Sequence, residues 1–276
     1  MKKYRKPYRV KKKKPIFRNR FFGLGILIFV AVVGIFYLIC FSSFFQIKEI
    51  KISGNQKVLT GDLQKVIQNQ IEKKILSHPS KSIFLINLNK INEMVLEKFP
   101  QLAKINLKRS FPDTMLIEIE ERKPVAIFCQ KEQYFFIDGE GIIFEEVSEA
   151  APQWLQIKNL TLAADLKIGG EVIKKEKLSQ VLEIESKVKD YNPPTTLPLE
   201  RAPNLKILEV SIISEERLNA KTSEGWEIYF NLEGDINWQL TKLGAVLEKE
   251  IPPEKREDLE YIDLRFGNLA PFKYRD

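Results

Sequence analysis

FPQLAKINLKRSFPDTMLIEIEERKPVAIF, residues 99–128, is the stretch on which the fold turns. Apolar and polar residues alternate over residues 104–108 and again over 115–120, the period of a half-buried strand. Between them Pro112 removes a ladder donor, and Asp113 and Thr114 favour local turn hydrogen bonds, so the two strands are predicted to form a hairpin. Just upstream, Asn89 is placed to cap a short helix with Ile91, Val95 and Phe99 at four-residue spacing, which Pro100 stops. Thr60 is placed to cap a longer helix with Leu63, Val66, Ile67, Ile71 and Ile75 on one face. Residues 45–52 alternate once more and close in Ser53-Gly54-Asn55-Gln56. The order predicted for residues 45–121 is β-α-α-β-β.

Before this module, residues 21–45 hold no charged side chain. At a rise of about 1.5 Å per residue, a helix over that run exceeds the roughly 30 Å of a hydrocarbon core. The run ends Phe41-Ser42-Ser43-Phe44-Phe45, without the short apolar core and small-residue cleavage site of a secretory signal, and is predicted to be an uncleaved anchor. Residues 1–20 hold eleven of the 44 Lys and Arg and no acid, leaving 33 bases against 37 acids in the remainder. With the one apolar span, that bias predicts a single-pass protein with a cytoplasmic tail and extracytoplasmic modules. The tail, with Lys11-Lys12-Lys13-Lys14 between Pro7 and Pro15, is read as a topology determinant lying against anionic lipid rather than as a nucleic-acid arm.

The rest of the chain is long enough for a second core. Strand patterns at residues 125–129, 134–137 and 142–145 lead to a helix over 174–191, with Leu178, Val181, Leu182, Ile184 and Val188 as its apolar stripe. Pro193, Pro194, Pro198 and Pro203 then enforce an extended loop. Strands are predicted near 206–213, 217–222 and 227–232. Asp235 is placed to cap a helix running to 249, with Trp238, Leu240, Leu243, Val246 and Leu247 facing the core, and Ile251-Pro252-Pro253 ends it. A strand over 261–264 and a terminal strand over 268–273 complete the reading. Trp226 and Trp238 are read as packing residues.

Catalytic patterns are scarce. The single histidine, His78, lies in Leu76-Ser77-His78-Pro79-Ser80, read as a polar loop, so neither a triad nor a histidine-rich metal site can be assembled in the usual way. Glu118 and Glu120 share the solvated face of one strand, unlike an acid pair that needs one member in an apolar pocket. Gly139-Glu140-Gly141 and Gly169-Gly170 lack phosphate-loop spacing and fit turns. Cys40 falls in the anchor and Cys129 in an apolar strand, which predicts two unpaired thiols, Cys129 a buried one. No enzyme, metal or cofactor is expected, and recognition is the function left. Sheets with a free edge can accept a partner's strand, and the terminal strand is the best candidate edge.

Three separated motifs, IKEIKISGNQKV, SIFLINLNKI and the opening stretch, resemble the POTRA module as it occurs in the FtsQ/DivIB family of bacterial cell-division proteins. The run Tyr134-Phe135-Phe136-Ile137-Asp138-Gly139-Glu140-Gly141-Ile142-Ile143-Phe144 resembles the start of that family's β domain, and Tyr261-Ile262-Asp263-Leu264-Arg265-Phe266-Gly267-Asn268 its last strands. The resemblance implies an α+β chain with one N-terminal transmembrane helix, a POTRA domain and a second β-rich domain with flanking helices. Its divisions would be a basic tail at 1–20, the helix at 21–45, POTRA at 46–121 and the β domain at 122–276. It further implies a non-enzymatic scaffold at the division septum, bound by FtsB/DivIC-like and FtsL-like proteins, with other membrane division proteins meeting POTRA or the helix. Arg265, Phe266, Gly267 and Asn268 match the family's docking positions, with Leu269, Ala270 and Phe272 as the edge that follows. Pro271, lacking an N–H, is expected to stop an added strand short. The rival reading, a POTRA-containing chaperone or transport component for envelope proteins, is the weaker, since such proteins carry a barrel and this chain shows no array of alternating strands of that kind.

Overall fold

The computed structural model of the chain describes residues 20–75, 78–148, 153–161, 166–190 and 205–275. The tail before Arg20 and the proline-rich loop lie outside them. The chain divides into two compact units, Met1–Val95 with Ile105–Ile119, and Leu96–Lys104 with Glu120–Asp276.

In the first unit the apolar run forms α1 (Arg20–Phe41), of which Phe21–Phe41 is long and apolar enough to cross a membrane. The helix stops short of the expected residue 45, because the chain turns at Ser42, where Phe45 N–H donates to the Ser42 carbonyl at 3.1 Å. There follow β1 (Glu49–Ser53), α2 (Thr60–Ile71), β2 (Lys73–Ile75), β3 (His78–Ser80), α3 (Leu88–Lys98), β4 (Leu102–Ser110) and β5 (Thr114–Glu121). The predicted hairpin strands β4 and β5 are neighbours in a sheet of order β1-β5-β4, with β1 parallel to β5 and Ile50 beside Met115. Met115, Ile117 and Ile119 bury one face of β5, while Glu118 on the other pairs with Lys108 at 3.1 Å. Leu63, Val66, Ile67 and Ile71 of α2 and Ile91 and Val95 of α3 are buried, as their spacing predicts. Gly54 holds φ +88°, and a side chain there would run into the Ile119 carbonyl.

Four expectations need correction here. A two-stranded ribbon, β2 antiparallel to β3, stands between the helices, so Ile75 is a strand residue rather than part of α2. His78 opens β3 instead of lying in a loop. Leu59, not Thr60, occupies the N-cap of α2, and the Thr60 hydroxyl instead accepts from the Asn55 amide at 3.0 Å. The α3 cap is Asn87, whose Oδ1 accepts from Lys90 N–H at 3.1 Å, two residues before Asn89.

The second unit is built on β6 (Ala126–Gln130), β7 (Gln133–Ile137), β8 (Ile143–Val147), β9 (Gln156–Asn159), α4 (Lys175–Asp190), β10 (Ile207–Ile212), β11 (Arg217–Thr222), β12 (Glu227–Asn231), α5 (Ile236–Lys249), β13 (Leu259–Asp263) and β14 (Phe272–Tyr274). Nine strands form one sheet, in the order β14-β13-β12-β11-β10-β9-β6-β7-β8. The unpredicted β9 is the keystone, lying parallel to both β6 and β10. Leu178, Val181, Ile184 and Val188 of α4 and Leu243, Val246 and Leu247 of α5 close over one face of the sheet in a single core with Trp226, Ile228, Phe230 and Ile262. Asp235 caps α5 as expected, accepting from the N–H groups of Asn237 and Trp238. Cys40 and Cys129 are free thiols, and burial pushes Cys129 up to about 11, which leaves it protonated and inert.

Candidate partner-docking edge

Among the described residues no strand lies beyond β14, so β14 is the outer edge of the nine-stranded sheet. It is shorter than expected and begins later: residues 266–269 form a turn closed by Leu269 N–H donating to the Phe266 carbonyl at 2.9 Å. Hence Arg265, Phe266, Gly267, Asn268, Leu269 and Ala270 form a loop, and of the expected edge residues Phe272 alone lies in the strand.

The loop is pinned from α5. Lys242 is buried, and its ammonium donates to the carbonyls of Leu264 at 2.6 Å, Phe266 at 3.1 Å and Leu269 at 3.2 Å. Burial holds its pKa below the usual lysine range. Trp238, expected in the core, is instead half exposed, and its indole N–H donates to the Gly267 carbonyl at 3.2 Å. The side chains of Phe266 and Leu269 are left facing solvent, 52% and 71% exposed. A groove of about 530 Å³ runs between α5 and the edge, lined by Val246, Lys249, Leu269, Ala270 and Phe272 among others.

Arg265 lies on the opposite face of the sheet from the helices. Its guanidinium grips Asp263 with two bonds, Nε to Oδ1 at 2.9 Å and a terminal nitrogen to Oδ2 at 2.6 Å. Burial pushes the Asp263 carboxyl up, yet the hydrogen bonds and charge of Arg265 outweigh it and hold Asp263 below its ordinary value. The same guanidinium sits 5.7 Å from the ring centroids of Tyr229 and Phe266. Tyr229 stacks on Tyr261 at 4.9 Å, and Arg217 covers its ring at 4.8 Å. The register of β11, β12 and β13 places Asn219 beside Tyr229 and Tyr229 beside Asp263, which brings these residues into one patch. Arg217, Tyr229, Trp238 and Lys242 were not predicted as site residues. The available signal was aromatic and basic residues at the outward positions of alternating strands.

The backbone of the edge decides what it can accept. Asp263 N–H donates to the Pro271 carbonyl at 2.8 Å, and Arg275 N–H to the Asp258 carbonyl at 2.8 Å. Residues 271, 273 and 275 therefore direct their backbone groups inward to β13, and Phe272 and Tyr274 direct theirs outward. The missing N–H of Pro271 lies on the inner side, so the proline does not interrupt the row offered to a partner, contrary to the sequence-based expectation. Among the described residues no group of His, Cys, Asp and Glu could hold a metal ion.

An apolar anchor helix, a three-stranded module with two helices and an open-edged second sheet define an anchored POTRA protein. The FtsQ-type POTRA domain model matches residues 45–122, and the model of the C-terminal region of cell division protein FtsQ/DivIB matches residues 126–265. The chain belongs to the FtsQ/DivIB family of cell-division proteins. It is 27% identical over 169 residues to cell division protein DivIB of Clostridium acetobutylicum, covering 61% of this chain and 60% of that one. To cell division protein FtsQ of Streptomyces bingchenggensis it is 19% identical over 158 residues, 56% of this chain and 57% of that one. To FtsQ of Rickettsia bellii it is 28% identical over 113 residues, 41% and 39% of the two chains. The chain thus spans less than two thirds of the length of these relatives. Residues 266–272 lie past the end of the C-terminal family match.

Proposed function

We propose that this chain is a non-enzymatic, membrane-anchored scaffold of the bacterial division complex, which recruits septal cell-wall synthesis partners by accepting a strand at β14. The observation that carries this reading is the outward-facing backbone of Phe272 and Tyr274 on an edge beyond which no strand lies among the described residues. Beside that edge, Arg265, Phe266, Tyr229 and Arg217 offer the aromatic and arginine side chains that dominate binding energy at protein interfaces. The partners in this reading are FtsB/DivIC-like and FtsL-like proteins, with membrane neighbours at POTRA or α1; no nucleic acid and no cofactor is involved. In this reading the N-terminus is cytoplasmic, as the basic tail favours, and both modules, POTRA at 46–121 and the β domain at 122–276, lie outside at the septum. Membership in a division family favours this over an envelope chaperone.

The test is binding of the reconstituted full chain to the extracytoplasmic segments of FtsB-like and FtsL-like proteins from the same source. Binding is expected at micromolar strength or tighter, weakened about tenfold or more by Phe266→Ala or Arg265→Ala, as for central interface anchors. Absence of binding by the folded chain would sink the edge as a docking site.

A further inference from the structure

The first unit carries a patch of phenylalanines that its own fold does not bury. Phe44, Phe84 and Phe111 are 59%, 43% and 58% exposed, although they belong to a continuous series of rings. Phe44 meets Phe45 at 5.0 Å, Phe45 meets Phe84 at 5.2 Å and Phe84 meets Phe111 at 5.1 Å between centroids. The rings come from three separate segments: the turn after α1, the loop after β3 and the tip of the β4–β5 hairpin. Each segment is held in place by bonds of its own. The Arg109 guanidinium donates to the carbonyls of Ile83 at 2.8 Å and Ile86 at 2.7 Å, which fixes the loop bearing Phe84. The Asp113 carbonyl accepts from Lys48 N–H at 2.9 Å, which ties the hairpin tip beside Phe111 to the segment entering β1. A rigid, contiguous apolar face left in the open marks a contact surface rather than scattered exposure.

What covers it follows from where it sits. The last turn of α1 leaves carbonyls without helical partners, and side chains of this same unit supply them. The Ser82 hydroxyl donates to Ile39 O at 2.6 Å, while the Ser80 hydroxyl at 2.6 Å and the Gln46 amide at 3.0 Å both donate to Cys40 O. The folded module is therefore fastened to the very end of the apolar helix. Phe44 lies three residues beyond its last residue, Phe41. A span over Phe21–Phe41 measures about 30 Å, the thickness of a hydrocarbon core, so the series begins at the boundary between acyl chains and head groups.

We propose that Phe44, Phe45, Phe84 and Phe111 form a lipid-contacting face that seats the first module on the bilayer surface at the end of α1. The face continues the apolar surface of the helix sideways into the interfacial layer, where apolar rings insert at shallow depth. The module is thereby held in one orientation to the membrane instead of swinging on a tether. This inference rests on reading α1 as membrane-spanning.

The experiment uses the full chain in vesicles whose lipids carry bromine near the top of the acyl chain, a short-range quencher of tryptophan. Trp154, Trp226 and Trp238 all belong to the second unit and give a constant background. Phe84→Trp and Phe111→Trp are compared with Leu59→Trp, at an exposed position past the far end of β1, and with Phe36→Trp within α1. The emission added at 84 and at 111 is expected to be quenched about threefold more strongly than that added at 59, as for rings within the head-group boundary. Quenching at 36 with none above the Leu59→Trp level at 84 and 111 overturns the seated face alone. No quenching at 36 overturns the membrane-spanning reading and the proposal with it. Rings at 84 and 111 shielded from both brominated lipid and aqueous acrylamide would mean that a second copy of the chain covers the face, which also overturns the proposal.

Discussion

Lys242 shows how much of the proposed docking region hangs on one side chain. An ammonium is three donors on a flexible stem, and here all three find carbonyls of the segment between β13 and β14. Without it, the Leu264 carbonyl is buried without that donor, and the turn at Phe266 loses two anchors. Lys242→Met keeps the stem and its packing but removes the donors. The expected result is amide hydrogen exchange at Leu269 faster by about ten- to a hundredfold, the factor for roughly 1.4 to 2.8 kcal/mol of lost charged hydrogen bonding, with the core strands little changed. Unchanged exchange at Leu269 would show that the turn stands by itself. Arg265 poses the opposite case, since its guanidinium already has a carboxylate partner in Asp263 and lies over the rings of Tyr229 and Phe266. A partner would meet it there by stacking more than by charge.

At the scale of the element, the question is what makes β14 an edge that can be extended. Its inward bonds belong to 271, 273 and 275, so Pro271 sits where its missing donor is of no use to a partner. If the proposed FtsB-like partner adds its strand at β14, Pro271→Ala is accordingly expected to leave that binding within about twofold, a free-energy change well under 1 kcal/mol. Phe272→Pro removes an outward N–H and no bond to β13, whereas Phe272→Ala removes the ring alone. Titration of both against the same partner segment should show the proline variant weaker by about five- to tenfold, the contribution of one backbone hydrogen bond. Equal loss in the two variants would assign the binding to the ring and not to strand addition. The sequence-based reading placed this strand four residues early because Leu269 and Ala270 are apolar; the carbonyls that Lys242 captures are what keep those residues out of the sheet. The hairpin of β4 and β5 was legible because two alternating runs flank a proline turn. By contrast, β9 has four residues and little alternation of its own beyond Leu155 and Ile157, and its central place comes from parallel pairing with strands far away in the chain. Arg265 and Phe266 could be singled out from a local motif, but Tyr229 and Arg217 join them through sheet register alone, which a linear reading does not contain.

For the molecule as a whole, the sequence shows where modules succeed one another but not which residues stabilise each. Residues 96–104 run from the end of α3 into the first residues of β4, yet they belong with the second unit. The physical reason is Arg122. Its backbone N–H donates to the Gln101 carbonyl at 2.7 Å, its Nε to the Pro100 carbonyl at 3.0 Å, and its guanidinium pairs with the buried Asp138. Asp138 in turn accepts from the N–H groups of Glu140 and Ile142, both at 3.0 Å, and so shapes the glycine turn between β7 and β8. A fragment starting at residue 122 lacks both carbonyls that fix Arg122, and the charge pair behind it must hold with one partner adrift. The neutral backbone bond contributes about 0.5–1.5 kcal/mol and the charged one about 1.5–3 kcal/mol, and roughly 2–4 °C of midpoint accompanies each kcal/mol in a domain of this size. Since the three tryptophans report the second unit alone, their fluorescence can follow its melting in either setting. The 122–276 fragment is expected to melt about 5–10 °C below the same unit within residues 46–276, and Arg122→Met in the longer chain should remove most of that difference. If the two fragments melt together, the tie through Arg122 is dispensable and the boundary read from the sequence is also the boundary of stability.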